Sequence, residues 1–190
     1  LSPHITARFS TKNASLQSDR IPLELKSLTA EGTYTNGNRM SVRSTVINLH
    51  SFSARSGASE VAGSVMLEDL LRPSFNIVVK GDVSLTDLDP WLKGLPLHTG
   101  EGSIYPDLRI TGTISDLSDS TRNVTFDPVG TLGVNDVEFL LTGPDLHFSE
   151  IDGNISVDSK TLDAGLAGYM NGTDFDLAFS LMDPLAAFTS

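Results

Sequence analysis

The chain has 190 residues, no cysteine and a formal charge of −11, from 13 Lys and Arg against 24 Asp and Glu. Without thiols there is no disulfide, no thiolate nucleophile and no thiol-ligated metal. The acidic balance argues against nucleic acid and against electrostatic docking on anionic membranes, both of which need clustered Lys and Arg. Apolar residues make up only 39%, and the abundance of Ser, Thr, Asn, Asp and Gly predicts strands joined by tight turns. No run of about 18 apolar residues suggests a bilayer span.

The pattern opens on Ile5, Ala7 and Phe9, and the first residue is Leu1. The expectation is therefore a segment of a longer protein, with targeting and anchoring sequences outside it. Strands are predicted at His4–Ser10, Ala14–Ser18, Leu23–Thr35, Met40–Leu49, His50–Ser56, Ser59–Leu67, Phe75–Thr86, Ser103–Ser115, Asn123–Phe126, Val129–Leu141, Ile151–Asp158, Thr161–Met170 and Thr173–Met182. Asn36-Gly37-Asn38, Ser56-Gly57, Asp152-Gly153 and Asn171-Gly172 supply residues that tolerate positive φ and so mark breaks; Asn171-Gly172 is the strongest hairpin signal. Arg72-Pro73-Ser74 should close another hairpin, and polar Ser115–Asn123 reads as a solvated loop. Internal glycines (Gly32, Gly63, Gly81, Gly112, Gly133, Gly165) point to bulges or bends. Asp89-Pro90 and Asp183-Pro184 each place an N-cap Asp before an N1 Pro, predicting two short helices after long strands.

Alternation is clearest in three stretches. Phe175, Leu177, Phe179 and Leu181 face one way and Asp176, Ala178 and Ser180 the other. Phe75, Ile77, Val79, Val83 and Leu85 do the same, as do Leu108, Ile110 and Ile114. These twelve residues are the expected lining of an apolar groove or core. The fold class is thus all-β, with long antiparallel strands in a strongly curved sheet, either a β-groove or an open sandwich. A duplication offset by about 94 residues is also suggested: units of about 21–93 and 124–188, each reading strand, strand, long strand, Asp-Pro cap.

No catalytic motif emerges. His4, His50, His98 and His147 lack paired metal spacing, so no metal or cofactor is expected. Asp87/Asp89 and Asp174/Asp176 are DxD pairs that read better as a cap and a polar strand face than as acid–base machinery. Gly57-Ala58-Ser59-Glu60-Val61 fails the nucleophile elbow at its last position, and Asp116-Leu117-Ser118-Asp119 lacks a calcium-loop run. Asn13, Asn123, Asn154 and Asn171 are glycosylation sequons, meaningful only in a eukaryotic secreted protein. Trp91 is assigned to packing a short helix over the sheet end. An enzyme is not expected.

The stretch Phe52-Ser53-Ala54-Arg55-Ser56-Gly57-Ala58-Ser59-Glu60-Val61-Ala62-Gly63-Ser64-Val65 leads on to Leu70-Leu71-Arg72-Pro73-Ser74-Phe75-Asn76-Ile77. With Gly81-Asp82-Val83-Ser84-Leu85-Thr86-Asp87-Leu88 it resembles the recurrent unit of the AsmA-like family of Gram-negative bacteria, in its Bacteroidota version. Leu162 to Asp183 echoes it, and the likeness covers about two thirds of the chain. The resemblance implies a periplasmic module of a protein anchored in the inner membrane, involved in outer-membrane biogenesis and phospholipid transport or homeostasis. It also implies acyl lipid as partner, with membrane contact made by segments outside this chain. A second reading, from a different class, is a secreted carbohydrate-binding or adhesin-type β-sandwich; its supply of aromatics (Trp91, Tyr34, Tyr105, Tyr169) is thin. Alternation alone does not separate an open groove from a closed sandwich, because both need the same pattern.

Overall fold

A computed structural model describes residues 3–18, 21–92, 95–115 and 124–183. The expected loop over 116–123 and the helix expected from Pro184 onward lie outside these residues. The strands are β1 (Thr6–Ser18), β2 (Ile21–Thr35), β3 (Val46–Ser56), β4 (Ser59–Glu68), β5 (Ser74–Ser84), β6 (Leu97–Thr99), β7 (Ser103–Ile114), β8 (Val124–Leu141), β9 (Leu146–Val157), β10 (Thr161–Met170) and β11 (Thr173–Met182). One helix, α1 (Leu85–Leu92), follows β5, and a 3-10 turn occupies Val42–Ser44.

All eleven strands belong to one open antiparallel sheet, in the order β1-β2-β3-β4-β5-β7-β8-β9-β10-β11, with β6 paired to the end of β8. Strands follow one another as neighbours except at β5 and β7, whose connection carries α1 and β6. Among the described residues no second sheet covers this one. Among the described residues six hydrophobic side chains are buried: Ala30, Ala54, Leu85, Val137, Ile151 and Ala164. The accessible surface is 12324 Å² for 20.3 kDa, against roughly 8,800 Å² for a compact protein of that mass. A single layer with uncovered faces accounts for the excess.

Register breaks lie inside the long strands, and one of them explains why β1 is longer than predicted. Thr11 pairs with Ala30 and Ala14 with Leu28, so Asn13, at φ 53°, sits in a bulge that joins two predicted strands into β1. In β8, Val134 pairs with Gly153 and Val137 with Ile151, leaving Asn135 and Asp136 against Asp152 alone. The Asp152 carboxylate satisfies that bulge by accepting from Asn135 Nδ2 at 3.0 Å and Asp136 N at 3.1 Å. Asp152-Gly153 is therefore no turn. It lies inside β9, where Gly153 takes φ 153°, a conformation suited to glycine. Residues 40–45 are likewise not strand: they form the turn ahead of β3.

The helix also starts elsewhere than predicted. Asp89 is not its N-cap, and Pro90 lies within α1. The hairpin at Asn171-Gly172 forms as expected: φ is 50° and 75°, and Met170 pairs with Thr173. At the β9–β10 hairpin, Asp158 Oδ1 accepts from Lys160 N at 2.8 Å and Thr161 N at 2.9 Å. These backbone N–H groups hold the Asp158 carboxyl below its ordinary value. A depressed folded pKa stabilises the fold above the ordinary value and is lost as the pH falls through the lowered one. Proton-coupled NMR titration of Asp158 should accordingly place its midpoint below that of an unstructured aspartate.

Candidate functional site

Directly paired residues on neighbouring strands share a face of the sheet, so register assigns the two faces. One row runs Leu181–Leu162–Val157–Gly130–Leu108–Val79–Gly63–Phe52–Ala30–Thr11, crossing ten strands and apolar until its last member. A second runs Leu177–Leu166–Gly153–Val134–Ile104–Val83. A third joins Ile110 to Ile77, Val65 and Leu49. Eleven of the twelve lining residues read from the sequence thus fall on one face: Phe75, Ile77, Val79 and Val83 in β5, Leu108, Ile110 and Ile114 in β7, and Phe175, Leu177, Phe179 and Leu181 in β11. Leu85 differs. It is the first residue of α1 and is buried.

The opposite face carries the polar residues. Arg55 pairs with Glu60 at 2.8 Å, Lys80 with Asp107 at 2.8 Å, and His147 Nε2 with Glu138 Oε1 at 2.6 Å. All are exposed, so they solvate the face and add little stability. Asp174 and Asp176 are exposed on this side of β11. Among the described residues no cluster of three or more His, Asp or Glu is placed to hold a metal ion. Nor is any helix long and apolar enough to cross a membrane.

Several phenylalanines on the apolar face stand directly opposite glycines: Phe9 on Gly32, Phe52 on Gly63, Phe75 and Phe126 on Gly112, Phe175 on Gly168. The missing side chain leaves room for the ring to lie against the sheet. A Cβ at Gly112 would crowd the backbone carbonyl oxygen of Thr125 and come 2.5 Å from the Phe75 ring. Gly112→Val should therefore destabilise the fold by roughly 1–3 kcal/mol, the usual range for overpacking, measured by urea denaturation.

The packed part of this face lies at one rim. Leu85 of α1 clusters with Val137, re-aimed by the β8 bulge, and with its partner Ile151, and Leu88, Phe139, Phe148, Leu166 and Phe175 surround them. Phe139 and Phe148 stack at 4.7 Å, and Phe148 meets Phe175 edge-on at 5.9 Å. Alternation did not reveal Val137, because the β8 bulge resets its parity, whereas Ile151 keeps the parity of Gly153, Ile155 and Val157.

α1 is held in place by Asp87. Its Oδ2 accepts from Ala58 N at 3.0 Å, Ser59 N at 2.9 Å and Ser59 Oγ at 2.6 Å, tying the helix to the β3–β4 hairpin. Leu85 N donates to Gly102 O at 2.9 Å. Between α1 and β2–β5 lies a pocket of about 240 Å³ lined by Leu25, Ala54, Ser56, Ser59, Val61, Val83, Asp87 and Leu88. In a flat sheet β2 and β9 would lie six strand spacings apart, about 29 Å. Yet Leu85 reaches Ile151 of β9 while Leu88, one helical turn on, borders the pocket with Leu25 of β2. The sheet is bent around the helix, with the apolar face on the inside.

No family of known proteins, no curated protein and no solved structure matches the chain.

Proposed function

We propose that this chain is a non-enzymatic lipid-handling module, working in the periplasm as part of an AsmA-like protein of outer-membrane biogenesis. In this reading the inward apolar face of the sheet shelters phospholipid acyl chains. The observation that carries the reading is a row that crosses ten strands and is apolar over nine of them, with no second sheet over it among the described residues.

The physics is that of transfer. Exposing hydrocarbon to water costs about 0.8 kcal/mol per CH₂, so a sixteen-carbon chain carries a penalty on the order of 12 kcal/mol. A bent sheet that offers one apolar face removes much of that penalty while its other face stays hydrated. Sliding along the face breaks no bond, so no catalytic group is needed. The same uncovered face is a liability if nothing occupies it, since monomeric proteins rarely expose large contiguous apolar patches. A lipid cargo resolves that conflict.

Native mass spectrometry of the protein purified from bacterial membranes without added lipid tests the reading. The expected result is at least one phospholipid per chain, released by organic extraction. A lipid-free protein that also fails to take phospholipid from vesicles would overturn it.

A further inference from the structure

We propose that the pocket beneath α1 receives the methyl end of an acyl chain, with the head group directed away from the helix. The proposal rests on the lipid-handling reading and adds a defined subsite and a direction to it.

The lining dictates the ligand. Leu25, Ala54, Val61, Val83 and Leu88 present aliphatic surface. Two of the three polar residues at the rim are occupied with one another: Ser59 Oγ donates to Asp87 and accepts from Ser84 N at 2.9 Å, and Asp87 Oδ2 takes three donors, which leaves the neutral Ser56 hydroxyl as the third. The Asp87 carboxylate remains a negative charge at the rim, with no Lys, Arg or His among the lining residues to offset it. A phosphate or carboxylate head group is therefore disfavoured there, and the uncharged end of an amphiphile is admitted.

Size agrees. An apolar cavity of about 150 Å³ accommodates the six carbons of benzene, so about 240 Å³ holds roughly eight to ten carbons on the same scale. The pocket is preformed, because α1 is fixed by Asp87 and by Leu85 at its two contacts with the sheet. It is also continuous with the rows described above, since Val83 ends the second of them and Val61, paired with Gly81 and Ala54, lies on the same face.

The test uses the whole chain with ¹³C-labelled Ile, Leu and Val methyls and two nitroxide fatty acids, 5-doxylstearate and 16-doxylstearate. The expected result is at least three-fold stronger broadening of Leu88, Val61 and Val83 methyls by the 16-doxyl probe. Ala54→Leu, which fills the pocket, should reduce that broadening several-fold. The comparison of the two probes on the unsubstituted protein stands even if the variant misfolds. Equal broadening by both probes, or stronger broadening by 5-doxylstearate, overturns the proposal. So does broadening confined to Leu177 and Leu181, although the lipid-handling reading then survives. No broadening at any methyl, together with no co-purified phospholipid, overturns both.

Discussion

Leu177→Asp combined with Phe179→Asp is expected to fold normally and to lose at least ten-fold of its bound phospholipid. Both side chains sit on the inner face of the edge strand β11, 45% and 44% exposed. New carboxylates there stay hydrated in the lipid-free protein. The β10–β11 ladder, paired in register from Thr161↔Met182 to Met170↔Thr173, loses no backbone bond. In the lipid-bound state the same carboxylates meet hydrocarbon, and removing an ion from water without a partner costs several kcal/mol. A cost of even 1.4 kcal/mol is ten-fold in occupancy. Ala178→Asp combined with Ser180→Asp, on the opposite face of the same strand, supplies the control: it adds equal charge and should leave lipid content unchanged. The readouts are circular dichroism for the fold and phospholipid per chain by native mass spectrometry. Double-variant protein that keeps its lipid would remove β11 from the binding face.

Asp87→Ala should produce the largest loss of stability from one exchange outside the apolar cluster, about 3 kcal/mol. The carboxylate takes hydrogen bonds from two backbone N–H groups and one hydroxyl, and a hydrogen bond to a charged group contributes about 1.5–3 kcal/mol net of exchange with water, less than additively where three share one oxygen. Without it, Ala58 N and Ser59 N lose their partner, and α1 loses its tie to the β3–β4 hairpin. Loosening α1 also exposes Leu85, which is only 6% exposed and packs on Val137 and Ile151. Asp87→Asn keeps one acceptor oxygen and should lose about half as much. Urea denaturation measures both. A change within 0.5 kcal/mol for Asp87→Ala would mean that apolar packing alone seats the helix.

How much of this was legible in the sequence differs by element. β10 and β11 are found at their predicted bounds, and their hairpin turn is found at Asn171-Gly172, because local alternation and a two-residue turn suffice to define them. β1 reads as two strands because the bulge at Asn13 interrupts period-two spacing without ending the strand. β8 does so because Asp127-Pro128 reads as a break, although both residues pair in unbroken register with Thr111 and Ile110. β9 starts at Leu146, five residues before its predicted start. Glu150, at φ 50°, resets the alternation there. For α1, the Asp-Pro pair at positions 89 and 90 drew the start too late. The helix begins where Leu85 leaves the sheet to pack on Val137, a contact between residues 52 apart that no local signal encodes. Asp87, read as a member of a DxD pair, turned out to be a hairpin anchor for the same reason.

The residue order by itself determined the all-β class, the two chemically distinct faces and eleven of the twelve residues on the apolar one. These follow from a backbone whose side chains alternate strictly, so composition at every second position becomes composition of a surface. Only the tertiary structure decided that the surface remains a single bent layer, roofed at one rim by α1. Which partner an apolar stripe meets is set by contacts between segments far apart in the chain, and alternation is identical whether that partner is another sheet or none.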